Sequence, residues 1–449
     1  MEPELASLGL FDARVPRYTS YPTAPQFSPD LGGERFTDWL SAIAPGSRIS
    51  LYLHVPFCRR LCWFCACRTQ GTQSDAPVLA YVETLKSELA LLRRHLPPGV
   101  ELSRLHWGGG TPTLLPPDAM RSLAAAVFEA VPMGADAEFS VEIDPNEIDA
   151  ERLDALAAAG MNRASIGVQD FNPEIQAIIG RDQSYEITRD AVEAIRARGV
   201  QSVNADILYG LPDQTRARLT ESVQKLLSLN PDRVALYGYA HVPWMARRQQ
   251  MIPSDSLPRP ETRLDLFETA RKLFLWDGYE EIGIDHFARS DDGLARAARA
   301  GKLRRNFQGY TDDQAPVLVG LGASSISRFP QGYAQNASRT SDWAQAVRAG
   351  RFATMRGHVF QGEDRLRGRI IESLMCDFRV CDAELIRDWG ARAEQLNALY
   401  APILARFGRF VRRTGEGLEI PVEGRALTRM IATEFDAYGL SKAGHSSAV

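Results

Sequence analysis

The chain has 449 residues, 45% of them hydrophobic and 24% charged, with a formal net charge of −4. That length and composition suit a soluble globular protein of two or three domains, or one large barrel with appendages. The slight acidity supplies no basic field for nucleic acid, and no apolar run is long enough to cross a bilayer.

The opening stretch MEPELASLGLFDARVPRYTSYPTA lacks a basic segment followed by an apolar core, so no signal peptide is expected and a reducing, cytoplasmic setting fits. Residues 1–47 are expected to form an extended N-terminal arm. In PRYTSYPTAPQFS each proline fixes its own φ and disfavours helix in the residue before it. The arm also carries Arg14, Arg17, Tyr18 and Tyr21, an unusual content for a plain linker.

Next comes ISLYLHV, alternating like a strand until Pro56 stops it. The loop that follows, FCRRLCWFCAC, holds Cys58, Cys62, Cys65 and Cys67, four of the six cysteines. The spacing of the first three is C-x3-C-x2-C. A structural zinc site usually takes two close pairs across a longer spacer. Disulfides between such near neighbours are poorly placed geometrically, and no secretory signal precedes them. Soft thiolates suit iron, and a four-iron cluster normally takes four of them, so three leave one iron open to a ligand. Zinc and plain buried thiols remain as alternatives on spacing alone. His54, inside the strand, is expected to pack there rather than bind a metal.

Beyond the loop, the strand-like runs RLHWGGG, AEFSVEID, RASIGVQ, SVNADILYG and RVALYGYA alternate with amphipathic stretches near 78–96, 118–131, 150–159, 186–198 and 217–229. Repeated βα units argue for an α/β fold with a parallel sheet. With no nucleotide fingerprint after the first strand, an incomplete (β/α)6 barrel suits better than a doubly wound sheet, though the pattern leaves both open. In a parallel barrel the site lies at the carboxyl ends of the strands. Glu142 in SVEIDP, Gln169 in SIGVQDF and Asp206 in VNADILYG interrupt apolar strands there. GGGTPT, residues 108–113, is neither a Walker A loop nor a G-x-G-x-x-G turn. Its missing side chains would let a ligand reach the backbone.

After Pro258 a helical run, GYEEIGIDHFARSDD, RRNFQGYT and VLVGLGASSIS extend the barrel, which is expected over 48–350. An Arg-rich helical stretch, 351–449, is expected as a separate C-terminal helical domain, with Cys376 and Cys381 as ordinary thiols.

CRRLCWFCAC resembles the cysteine loop of the radical S-adenosylmethionine (SAM) enzymes. With a cysteine two residues after the triplet, it resembles the oxygen-independent coproporphyrinogen III oxidases in particular. PRYTSYPTA, LYLHVPFC, GGGTPT, VEIDP, GVQDF, GRDQ, ADILYGLP, YAH, RRNFQGYT and GASSIS carry the resemblance along nearly the whole chain. It implies an incomplete (β/α)6 barrel with the arm over the active site. It implies a [4Fe-4S] cluster on Cys58, Cys62 and Cys65, with Cys67 not a ligand, and two SAM molecules beside it. The first would meet Tyr52, Gly109 and Glu142. The second would meet Phe64, Gly110, Thr111, Gln169, Arg181, Asp206, Ala240 and Ile326. Trp63 and Gly238 depart from residues common in the family.

The activity implied is oxidative decarboxylation of two propionates of coproporphyrinogen III to vinyl groups by a 5′-deoxyadenosyl radical, giving protoporphyrinogen IX. No acid–base dyad or nucleophile is then needed. Arginine forks suit propionates, so Arg14, Arg17, Arg289, Arg304 and Arg305 are candidates for substrate carboxylates. A monomer is expected, served by a cytoplasmic one-electron donor such as flavodoxin or ferredoxin. The rival activities are a haem chaperone on the same fold and a radical SAM methyltransferase.

Overall fold

The computed structural model describes residues 2–439 and 445–449. Six strands run parallel, each beside the next in chain order: β1 (Arg48–Val55), β2 (Glu101–Gly109), β3 (Met133–Ile143), β4 (Arg163–Gln169), β5 (Ser202–Tyr209) and β6 (Arg233–Gly238). Helices Ala76–His95, Pro117–Ala130, Ala150–Ala158, Tyr185–Arg196 and Arg216–Ser228 connect them, within two residues of the stretches the periodicity indicates. Asp149, Ser184 and Thr215 start three of these helices by accepting from a backbone N–H of the first turn. Each such cap is worth about 1 kcal/mol.

Alternation divides every strand into two faces. Leu51, Leu53 and Val55 of β1, Leu105 and Trp107 of β2, and Val141 of β3 are at most 1% exposed and form one core with the helices. Burying each contributes about 1.5–3 kcal/mol. The opposite face carries Tyr52, His106, Glu142, Gln169 and Asp206, so the concave side of the sheet is polar.

The barrel does not close on itself. Beside β6 lie two short antiparallel strands, Glu280–Ile282 and His286–Ala288. Beside β1 lies a parallel strand, Leu318–Leu321, then the antiparallel strands Ile326–Phe329, Gly332–Asn336 and Thr354–Val359. The barrel region therefore continues past the expected boundary at 350. Register with Gly332–Asn336 carries the last strand into the sheet, which no composition shift reveals.

A second apolar core joins residues from Leu5 to Tyr21 to residues from Leu366 to Phe435. The arm is thus only partly extended. It contains helices Glu2–Ser7 and Gly33–Ser41, and its middle is pinned to the C-terminal part. Tyr18 donates to Asp436 at 2.9 Å, and Tyr21 accepts from the Ala437 amide at 2.9 Å. Besides helices, that part holds a three-stranded sheet of Arg379–Cys381, Gly417–Glu419 and Arg412–Arg413.

One polar group lies deep behind β1. Glu88 is fully buried and accepts from the Gly322 amide (2.7 Å), Asn336 (2.9 Å) and the Trp343 indole (2.9 Å). Burial pushes its carboxyl up to about 7, against the pull of these donors. The folded state therefore holds a proton that the unfolded chain has released, so stability falls as pH rises from the ordinary carboxylate range through about 7. The expected loss is at most about 3 kcal/mol. Urea unfolding of wild type and Glu88→Gln at about pH 5 and about pH 8 checks it. The stability difference between the two proteins should change by that amount; a constant difference refutes it.

Candidate active site

Register brings the polar residues of the concave face together. Tyr52 pairs with His106, His106 with Ser140, Glu142 with Ser165, and Gly167 with Asp206. The Tyr52 ring stacks on His106 at 5.6 Å, and its hydroxyl lies 2.9 Å from His54 Nδ1. His54 is buried and hydrogen-bonded inside the site, with burial holding its pKa down. His106 Nε2 lies 3.3 Å from Glu142 Oε1, and the Gly109 amide donates to Glu142 Oε2 at 2.9 Å. Burial opposes the charge on Glu142, but His106 and the Gly109 amide outweigh it and hold the carboxyl below its usual range. His106 is a further residue of the site, with no motif around it to mark it. The signal was its place between Leu105 and Trp107, which face the helices.

The glycines of residues 108–110 are required by close approach. Gly109 has φ +114°, and a Cβ there would lie 2.5 Å from the His54 ring. A Cβ on Gly110 would lie 2.5 Å from the Phe57 carbonyl, which is backbone and cannot swing away.

The cysteine loop sits over this wall. Phe57–Cys58 pairs with Gln70–Gly71, closing the loop at its base. Trp63 donates its amide to the Ile179 carbonyl at 2.9 Å, and Gln249 donates to the Phe64 carbonyl at 2.7 Å. Arg248 donates to the Cys67 carbonyl (3.1 Å) and Thr69 (2.8 Å). These clamps come from residues more than a hundred positions away, so local sequence carries no sign of them. Cys58, Cys62 and Cys65 are half-buried and unbonded to each other, while Cys67 is exposed. Burial pushes the Cys58 thiol up to about 11. Donation from Cys67 brings Cys65 down to about 6. Arg181 donates to Cys62 Sγ at 3.5 Å and to the Gly167 carbonyl at 2.8 Å.

Among the other expected contacts, Asp206 accepts from Asn204 at 2.8 Å and Ala240 accepts through its carbonyl from Gln249 at 2.9 Å. Gln169 ends β4 with φ +70°. Phe64 packs beside Ile179 and Leu208. Thr111 is buried, its amide on the Phe57 carbonyl at 2.7 Å. Ile326 lies against Gly320, the residue paired with Tyr52. All of these stand near the cysteine loop or along the concave wall.

The five candidate arginines scatter. Arg17 donates to the Gly238 carbonyl at 2.6 Å, at the carboxyl end of β6. Arg305 is buried, 3.7 Å from Asp285, and donates to the Arg17 carbonyl at 3.5 Å. Arg304 is half-buried on the hairpin Arg304–Asn306/Gly309–Thr311, where its charge acts on Asp377. Arg14 is exposed and lies over Trp244. Arg289 lies apart from the other four. It is tied to Asn230 (2.6 Å) and Asp277 and stacked on Tyr279, at the amino end of β6. The turn before that strand, not the site, claims its charge.

The residues fit a cluster with an open iron and a SAM ligand. The Glu142 side chain is 40% accessible although its neighbours Val141 and Ile143 are buried, so it faces a hollow. Among the described residues no three His, Cys, Asp or Glu converge on a single ion. A four-iron cube spreads its ligands over separate corners, which three cysteines around one loop suit.

Fold and site together define a radical SAM protein, and residues 52–226 match the model of the Radical SAM superfamily. The chain is 67% identical over 446 residues to the oxygen-independent coproporphyrinogen III oxidase of Paracoccus denitrificans, covering 99% of each. It is 40% identical to that of Escherichia coli K12, covering 98% of this chain and 96% of the relative. The solved coproporphyrinogen III oxidase of Escherichia coli, described as a radical SAM enzyme, superposes with a TM-score of 0.89 at 38% identity, covering 95% of this chain and all of that one. The chain belongs to the oxygen-independent coproporphyrinogen III oxidase family.

Proposed function

We propose that this protein converts coproporphyrinogen III to protoporphyrinogen IX without oxygen, by oxidative decarboxylation of two propionates to vinyl groups. One observation carries the reading: the three-cysteine loop is clamped directly over the Tyr52–Gly109–Glu142 wall, in a chain that matches named oxidases from end to end.

Cys58, Cys62 and Cys65 hold the cluster in this reading, and Arg181 donates to the Cys62 sulfur, stabilising its negative charge. Cluster and SAM, when bound, supply the radical that takes a hydrogen from the propionate β-carbon, after which carbon dioxide and one further electron leave. Tyr52, Gly109 and Glu142 receive the amino-acid end of the first SAM. Phe64, Gly110, Thr111, Gln169, Arg181, Asp206, Ala240 and Ile326 receive a second, with Asp206 accepting from hydroxyl groups. The arm, fastened by Tyr18 and Tyr21, covers the mouth and keeps water out. No side chain needs to act as general acid or base.

The working division of the chain is an arm over the site, a barrel with its sheet extension, and a C-terminal part that holds the arm down. No helix among the described residues is long and apolar enough to cross a membrane. A cytoplasmic monomer reduced by a flavodoxin- or ferredoxin-like donor completes the proposal. Anaerobic incubation with coproporphyrinogen III, dithionite and SAM tests it, with carbon dioxide and a divinyl product in step as the expected result. A methylated product would indicate a methyltransferase, and haem binding without turnover a chaperone; either overturns the reading.

A further inference from the structure

The concave face runs on past the barrel. Gly320 pairs with Tyr52 and lies against Ile326. Ile326 pairs with Gln335, and Gln335 with Arg356 on the edge strand Thr354–Val359. Phe329 and Ala334 join the core on the helix side, so alternation turns Ile326, Gln335 and Arg356 the other way, towards the site. Arg356 stands four strands from Tyr52 in the sheet order, about 19 Å along the sheet. The cysteine loop sends a second cation towards it. Arg68 follows Cys67, its carbonyl lies 3.3 Å from His54 Nε2, and the residue is exposed. Burial, with the charge of Arg68 adding to it, lowers the Arg356 pKa, so the two guanidinium groups act on each other across the hollow.

Arg356 is half-buried and fixed in direction. Gln335 donates to the Ser324 carbonyl at 3.0 Å, which turns its own oxygen onto Arg356 Nε at 2.7 Å. The guanidinium lies over the Phe27 ring, 5.9 Å from its centroid, and Phe27 stacks on Tyr333 at 5.6 Å. Ser28 exchanges two backbone hydrogen bonds with Gly357, at 2.7 and 2.9 Å, and so holds the arm against the strand. These contacts use Nε and one ring-covered face of Arg356. Among the described residues Nη1 and Nη2 donate to nothing, the Arg68 guanidinium donates to nothing, and neither arginine forms an ion pair. The charge that acts on Arg356 is that of another cation, Arg68. A solvated arginine needs no such fixing. A guanidinium oriented at Nε, with its Nη edge free, matches a carboxylate bidentately, and an anion between two facing cations relieves their repulsion.

We propose that Arg356 and Arg68 together clamp one propionate of the tetrapyrrole, a propionate other than the one whose β-carbon is reacting. The inference rests on the function proposed above. The reacting carbon has to reach the cysteine loop and Tyr52, whereas Arg356 stands four strands away with Arg68 reaching out to it. A carboxylate on another corner of the macrocycle spans that gap and fixes which edge faces the loop.

Equilibrium binding of coproporphyrin III, the stable oxidised form of the substrate, and of its tetramethyl ester to cluster-loaded wild type, Arg356→Met, Arg68→Met and the double variant tests the clamp. Coproporphyrin III should bind each single variant about ten- to a hundredfold more weakly, the loss of one or two charge-assisted hydrogen bonds. The double variant should lose less than the product of the two single factors, because both arginines meet one carboxylate. Arg356→Lys should recover only part of the loss, since a point charge lacks the fork. The ester should bind all of these proteins alike, and their iron content and SAM affinity should match wild type. Methionine keeps an apolar stem over Phe27. Arg68 is exposed, so its variant decides the matter should Arg356→Met fold poorly. Wild-type affinity for coproporphyrin III in Arg68→Met overturns the clamp. Strictly multiplicative losses overturn it too, by assigning the arginines to separate groups, and so does an equal loss for the ester, by tracing the effect to packing. A wild type that does not decarboxylate coproporphyrinogen strikes the functional reading instead, so the two failures are distinguishable.

Discussion

Cys62→Ala is expected to lose the iron–sulfur absorbance and turnover together. The fall in rate should exceed about a hundredfold, since losing even an outer partner of a metal ligand costs ten- to a hundredfold. Cys62 stands where the loop meets the buried guanidinium of Arg181, which is itself fixed by the Gly167 carbonyl and Gln183. Cys67→Ala is the companion measurement. Its side chain is exposed and its carbonyl is held by Arg248, so the alanine variant should keep its iron and sulfide. Iron and sulfide analysis of anaerobically purified protein reads both outcomes. Full iron in Cys62→Ala, or empty protein in Cys67→Ala, would exchange the two roles.

Asp206→Asn should keep the cluster and bind SAM about tenfold or more weakly, the worth of a charge-assisted pair of hydrogen bonds. Burial pushes the Asp206 carboxyl up to about 6; the Asn204 amide and the charges of Arg163 and Arg181 pull against that, while Glu142 adds to it. A carboxyl raised in the folded state is protonated as pH falls through about 6, and a protonated acid is a poorer acceptor for hydroxyl groups. SAM affinity of the wild type should therefore weaken between about pH 7.5 and about pH 5. Glu142 is held below the usual range and stays charged across that window, so it contributes no slope. The linkage for folding runs the other way: without ligand, the proton on Asp206 stabilises the protein at low pH, and that contribution is lost as pH rises through about 6. Isothermal titration of both proteins across the window measures the binding effect. A wild type with flat affinity, or an Asn variant that keeps the slope, would assign the titration to another group.

Much of the site was readable because its parts are local. C-x3-C-x2-C is a loop property, GGGTP is a turn property, and the alternation in SVEIDP and VNADILYG fixes which side chains share a face. Charge in the sequence carries no position. Arg289 and Arg305 look alike in the chain. Yet Arg289 is used up by Asn230 and Asp277 at the amino rim, while Arg305 lies buried against Asp285. Arg263 is buried behind the Gly210 and Tyr239 carbonyls although a helical arginine is ordinarily solvent-facing, and nothing local in the chain says so. Nor did periodicity say that Thr354–Val359 adds a strand to the barrel sheet, because an edge strand is defined by its neighbour.

By itself, then, the sequence determined the repeating βα units, the helix limits, the thiolate loop and the glycine turn, since these depend on side-chain period and backbone freedom within a few residues. Only the tertiary structure decided which distant groups clamp that loop, where the arm is fastened, and which carboxylates and carbonyls each arginine meets. Those outcomes depend on contacts between residues hundreds of positions apart, whose free energies exist only once the chain is packed.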